Sequence, residues 1–154
     1  MVTINIKEYA PEYQQDFKKL NAEWIEKYFR LEEKDIETLN NPQENIIDKG
    51  GHILLAELNS EIVGACALQK MDEKIYELAK MAVSPKVQGQ SIGWLLGQAC
   101  IEKARSLGAE KVYLESNTKL EPAINLYRKL GFQEITGVPS PYERCNIQMQ
   151  LILK

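Results

Sequence analysis

The chain has 154 residues, 44% of them hydrophobic and 27% charged, and a formal net charge of -3 at pH 7. That length suits a single domain over 1–154 with a real core, and no apolar run approaches the ~20 residues that a membrane span needs. The acidic balance disfavours electrostatic binding of nucleic acid or anionic membrane, and the N-terminal residues show no export signal, so the expectation is a cytoplasmic protein.

In chain order, TINIKEY (residues 3–9) alternates apolar and polar residues as a half-buried strand does. Pro11 suits the first turn of a helix, and Tyr13, Phe17, Leu20, Trp24 and Tyr28 recur at three- and four-residue spacing on one face of it. EEKDIETLN predicts a shorter second helix that ends before Pro42. HILLAEL and EIVGACALQK predict an antiparallel hairpin turned by Asn59 and Ser60, and YELAKMAV (residues 76–83) a third strand of the same meander. Helices over 93–107 and 122–130 follow, ended by Gly108 and Gly131, with Ser91 as the cap of the first. KVYLESN, FQEITG and CNIQMQLIL supply the remaining strands. Cys66, Cys100 and Cys145 are odd in number and far apart, and read as small buried apolar residues. His52 has no Cys or Asp cluster around it, so no metal site is expected.

The segment SPKVQGQSIG (residues 84–93) joins a strand to a helix N-terminus, where unpaired N–H groups and the positive dipole end favour an anion. Gly89 allows close backbone approach, and Gln88, Gln90 and Ser91 add uncharged donors. Taken alone, the loop reads equally well as a tight connection or as a cradle for a diphosphate. It carries neither the Walker spacing nor GxGxxG.

The wider run ELAKMAVSPKVQGQSIGWLLGQACIEKARSLGAEKVYLESN, followed by AINLYRKLGF, resembles the GCN5-related N-acetyltransferase (GNAT) family over residues 51–132. QGQSIG matches that family's Gln/Arg-x-x-Gly-x-Gly/Ala motif, with Ser91 where glycine is usual, and LYRKLGF matches its tyrosine-bearing helix. The resemblance implies an α+β fold: a mixed, largely antiparallel sheet, about four flanking helices, and splayed fourth and fifth strands. It also implies acetyl-CoA as cofactor and direct transfer of the acetyl group to a primary amine, on a small molecule or a peptide, in a ternary complex. The main chain of Met81 and Val83 would pair with the pantetheine arm, residues Gln88, Gly89, Gln90, Ser91, Ile92 and Gly93 would hold the diphosphate, and Asn117 is either an arm contact or a turn residue. Tyr127 corresponds to the general acid and Glu77 to the glutamate used as base in some members. Strand alternation would put Glu77, Ala79, Met81 and Val83 on one face. Tyr142, Arg144 and Asn146, on the loop before the last strand, would border the acceptor and orient a carboxylate or other polar group on it, with Trp24 and Tyr28 walling the other side. An acyl-CoA-binding sensor or scaffold with little transferase activity is the alternative, and a homodimer is left open.

Overall fold

The computed structural model describes residues 3–87 and 89–153. Its strands are β1 (Ile4–Glu8), β2 (His52–Leu58), β3 (Glu61–Asp72), β4 (Ile75–Val83), β5 (Lys111–Ser116), β6 (Gln133–Ile135) and β7 (Ile147–Ile152). They form one sheet in the order β1-β2-β3-β4-β5-β7-β6, antiparallel except for the β4–β5 pair. Four α-helices flank it, α1 (Gln14–Tyr28), α2 (Glu33–Asn40), α3 (Ile92–Ser106) and α4 (Glu121–Leu130). This is the α+β arrangement expected from the sequence. A one-turn π-helical segment, Gln43–Ile47, was not anticipated after α2. Among the described residues no helix is long and apolar enough to cross a membrane.

Each face of the sheet buries its own core. Phe17 of α1, Leu39 of α2 and Ile46 pack with Ile53, Leu55, Ala65 and Ala67 on one face. On the other, Leu96, Cys100 and Ala104 of α3 and Ile124 of α4 close over Cys66, Leu68, Tyr76 and Leu78. Burial of each large apolar side chain here contributes about 1.5–3 kcal/mol. The α3–α4 approach depends on Gly97, because a Cβ there would fall 2.6 Å from Leu130 Cδ1. The buried row of α1 is Phe17, Asn21 and Ile25, one position round from the row the spacing predicts. Trp24 and Tyr28 are only half-buried, which turns them toward clefts instead of the core.

The hairpin at Asn59 and Ser60 is present, with both residues at positive φ, as a two-residue primed turn requires. Gly108 and Gly131 end α3 and α4 at positive φ, also as expected. Ser91 departs from expectation. It is the N-cap of α3, but at φ +62 it takes the left-handed conformation and its side chain makes no capping hydrogen bond. The turn that the loop must make at this point claims the backbone, and the hydroxyl is carried away from the helix N–H groups.

Two irregularities of β4 shape the site. First, β4 pairs with β5 only at Ile75, Tyr76 and Glu77, opposite Lys111, Val112 and Tyr113, so the two strands diverge beyond Glu77. Second, the register against β3 runs Ala67↔Ala79 and then Ala65↔Ala82, which leaves one extra residue on β4. The bulge centres on Lys80, whose φ is +52. Glu77 and Ala79 therefore share the α1–α2 face with Gln69 and Ala67, whereas Met81 and Val83 emerge on the α3 face and pack against that core. This corrects the single-face assignment of Glu77, Ala79, Met81 and Val83: strict alternation holds only for an unbroken ladder.

Candidate active site

Two cavities meet where β4 and β5 part. The larger, a cleft of about 1030 Å³, runs along Met81 and Val83, the loop at Gly89, the first turn of α3, and the α4 face bearing Ala123 and Tyr127. The smaller, about 120 Å³, lies on the α1–α2 face beside Glu77, Lys80, Glu115, Tyr142 and Arg144. Trp24, Met81, Leu120 and Tyr127 line both, so these four side chains form the junction.

The cleft has the chemistry of an anion and amide site. Gly89, Ser91, Ile92 and Gly93 line it, and the start of α3 has no side-chain cap to occupy its N–H groups. Gly89 has φ +87, and its Cα has no other atom within 4 Å of where a Cβ would stand, so backbone faces open space there. Lys119 and Lys129 bring positive charge to the same walls. Beyond Glu77, β4 has no β5 neighbour, which leaves main-chain groups of Leu78 to Val83 on the cleft side of the sheet without a β5 ladder partner among the described residues. Gln90 is exposed and lies on neither cavity wall, and Gln88 lies outside the described residues.

Tyr127 packs edge-to-face on Phe132, with ring centroids 6.1 Å apart. Burial, and then the nearby Cys66, pushes its phenol well above the ordinary range, so it stays protonated. Glu77 is the titrating group of the smaller cavity. Burial and the Glu115 carboxylate push it up to about 7, against the pull of Lys80 and Lys34. Glu115 accepts from Tyr113 Oη and Ser140 Oγ, each at 2.7 Å.

The far wall of this cavity is a buried charge cluster that sequence reading missed. Asp35, with no exposed side-chain surface, accepts from Lys80 Nζ at 2.6 Å, from Arg144 Nη1 and Nη2 at 2.6 and 2.7 Å, and from the Glu32 backbone N–H at 2.9 Å. Four donors fill both carboxylate oxygens. Burial pushes the Asp35 carboxyl upward, but the Arg144 hydrogen bonds and the Lys80 charge outweigh it and hold the group at about 2. Arg144 also meets Glu32 at 3.2 Å. Both cations lie over the Tyr142 ring, Lys80 Nζ at 4.8 Å and Arg144 Cζ at 4.5 Å from its centroid, and Lys80 donates to Tyr142 Oη at 3.1 Å.

The remaining expected residues divide. Tyr142 and Arg144 do border the smaller cavity, but both terminal nitrogens of the Arg144 guanidinium are engaged by Asp35 and Glu32, which turns its two-pronged end toward those carboxylates. Asn146 borders neither cavity; its amide bonds the Thr118 N–H and hydroxyl and ties the last loop to the end of β5. Asn117 lines the smaller cavity, yet its amide donates to Arg144 O and accepts from Lys119 N, the work of a turn residue. Trp24 lines both cavities, while Tyr28 lines only the cleft, its ring 5.5 Å from that of Trp24. Cys66 and Cys100 are buried as expected; Cys145 is half-buried on the cavity wall.

Comparison with known proteins agrees with this geometry. The acetyltransferase (GNAT) family model matches residues 8–132. YjgM of Escherichia coli (strain K12), an uncharacterized N-acetyltransferase, is 32% identical over 94 residues, 58% of this chain and 56% of that protein, so the match spans little more than half of its length. The crystal structure of an acetyltransferase of the GNAT family from Staphylococcus aureus Mu50 superimposes with a TM-score of 0.90 at 26% identity, covering 99% of this chain and 100% of that one. The yncA protein of Salmonella typhimurium, solved with its cofactor acetyl-CoA, shares the fold with a TM-score of 0.80 at 18% identity, over 98% and 94% of the two chains. With a family model covering most of its length and the divided sheet that the motifs imply, the chain belongs to the GNAT acetyltransferase family.

Proposed function

We propose that the protein is an acetyl-CoA-dependent N-acetyltransferase that acts on a primary amine by direct transfer, with both substrates bound at once. The observation that carries this reading is the junction of two cavities on opposite faces of β4, with a protonated phenol where they meet and a carboxyl of pKa about 7 in the smaller one. Bound acetyl-CoA supplies an acetyl thioester at that junction. The uncapped first turn of α3, Gly89 and the two lysines fit its phosphates, and the unpaired edge of β4 fits the amides of its arm.

The chain's own groups then divide the proton work. An amine enters as an ammonium ion, and Glu77, half ionised near neutral pH, takes its proton. Tyr127, kept neutral by burial, holds a proton at Oη for the departing thiolate. The Lys80 bulge turns the β4 backbone next to Met81, where main-chain N–H groups free of the β5 ladder face developing negative charge. Trp24 and Leu120 close the junction against water.

The test is calorimetric titration with acetyl-CoA combined with thiol release across a panel of amines. Binding with amine-dependent release supports the reading. Binding without amine-dependent release is the behaviour of an acyl-CoA sensor and would overturn it.

A further inference from the structure

The smaller cavity has a charge pattern that sorts acceptors, an inference that rests on that cavity being the acceptor side. Its walls carry three cations, Lys34, Lys80 and Arg144, and two carboxylates, Glu77 and Glu115, with Asp35 and Glu32 behind the cations, and these charges are not equally available. Lys80 and Arg144 are spent on Asp35, Glu32 and the face of Tyr142. Asp35 has no exposed side-chain surface and is bonded to both cations, so their two charges are matched inside the wall by those of Asp35 and Glu32. Lys34, the third, is exposed and acts on Glu77 through its charge. Glu77 and Glu115 remain. They project from neighbouring strands, Glu77 at the last β4–β5 pair and Glu115 two residues past it, Glu115 steadied by two hydroxyl donors and Glu77 without a hydrogen-bond partner among the described residues. Trp24 supplies an aromatic wall, which also favours a cation.

We infer that the cavity selects a short aliphatic amine bearing a second cationic or neutral end and rejects amines that carry a carboxylate or phosphonate, and that Asp35 is the specificity-determining residue because it neutralises the two cations that would otherwise receive such an anion. Glu115 then holds the positive charge of the acceptor, and Glu77 remains the base. Asp35 touches no substrate; it acts through Lys80 and Arg144.

The matched probes are 1,4-diaminobutane and 4-aminobutanoate, equal in chain length and opposite in charge at the far end. Titration of each into the CoA-loaded protein should show the diamine binding at least ~10-fold more tightly. Glu115→Gln removes the charge and keeps one acceptor oxygen, the second hydroxyl turning to accept from the new amide, and should erase most of that preference by weakening the diamine alone. Asp35→Asn, if circular dichroism shows it folded, should shift the preference toward 4-aminobutanoate. Equal binding of the two probes, tighter binding of 4-aminobutanoate, binding of neither, or an unchanged preference in Glu115→Gln overturns the inference. Thiol release from acetyl-CoA reads the transferase separately. Equal turnover of both probes leaves the transferase standing and removes the selectivity. Selective binding with no amine-dependent release removes the transferase and leaves the charge preference as a binding property.

Discussion

Replacing Glu77 by Gln should make the protein more stable at neutral and alkaline pH while disabling it. The carboxyl titrates near 7 in the folded chain against an ordinary value of 4.5, pushed there by burial and by Glu115, with Lys80 and Lys34 opposing. Tyr113 and Tyr142 also face it, their phenols raised by burial first and by neighbouring carboxylates, Glu77 among them. Between pH 4.5 and 7 the unfolded chain gives up a proton that the folded chain keeps, so unfolding free energy falls as pH rises through that window. Below it the group is neutral in both states and costs nothing; above it the cost is constant. At about 1.36 kcal/mol per tenfold change the ceiling is about 3 kcal/mol, and partial solvent contact reduces it to about 1–3 kcal/mol. Urea midpoints for wild type and Glu77→Gln should therefore coincide near pH 4.5 and separate in favour of the variant at about pH 8. Amine-dependent thiol release should rise through pH about 7 in wild type, and in the variant lose ~10²-fold or more and that limb of the profile. A stability difference that is the same at both pH values would refute the reasoning, because it would mean that Glu77 titrates alike folded and unfolded.

Tyr127→Phe keeps the edge-to-face contact with Phe132 and should lower kcat by ~10²-fold or more with acetyl-CoA affinity and Tm nearly unchanged, measured where chemistry limits the rate. Gly89→Val places a β-branched side chain at φ +87 on the cleft lip and should weaken acetyl-CoA in calorimetric titration while circular dichroism stays native. Ser91→Gly relieves a left-handed residue and should raise stability by ~1 kcal/mol in thermal unfolding, with cofactor affinity unchanged or higher. Asp35, lowered to about 2 from 3.8, contributes stability that is fully present above its ordinary value and is lost as pH falls through about 2; carbon-detected NMR should show its carboxyl titrating well below 3.8.

The parts of this fold that were legible in the chain are those whose cause is local. Positive φ at Asn59, Ser60, Gly108 and Gly131 marks turns and helix ends by residue type, and the α3 and α4 stripes repeat within a few residues. The cleft residues from Met81 to Gly93 and the tyrosine of α4 were legible as a family resemblance carried by two short motifs. What stayed hidden depends on partners distant in sequence. Asp35 reads as one more solvated acid in EEKDIETLN, because its partners Lys80 and Arg144 lie 45 and 109 residues away. The bulge at Lys80 has no glycine or proline to announce it, since its left-handed backbone is held by tertiary contacts, the Asp35 ion pair among them. Glu115 could have been noticed two residues after Tyr113, on the same face of β5, had the strand divergence been located at Glu77. Arg144 does reach the cavity wall, but its counter-ions stayed hidden for a related reason: a guanidinium on a loop looks available until Asp35 and Glu32 are found beside it.

The divergence of β4 from β5 also bears on how the molecule breathes. Among the described residues, the β1–β4 part of the sheet and the β5–β7 part pair edge to edge at three positions at one end, Ile75 to Glu77 with Lys111 to Tyr113. Anything extended that fits between the open ends replaces ladder partners that the chain itself does not provide, so occupancy and rigidity are linked by mass action. Those amide hydrogens of Leu78 to Val83 that point away from β3 should therefore exchange at rates set by cofactor concentration, whereas those of the β2–β3 hairpin should not respond.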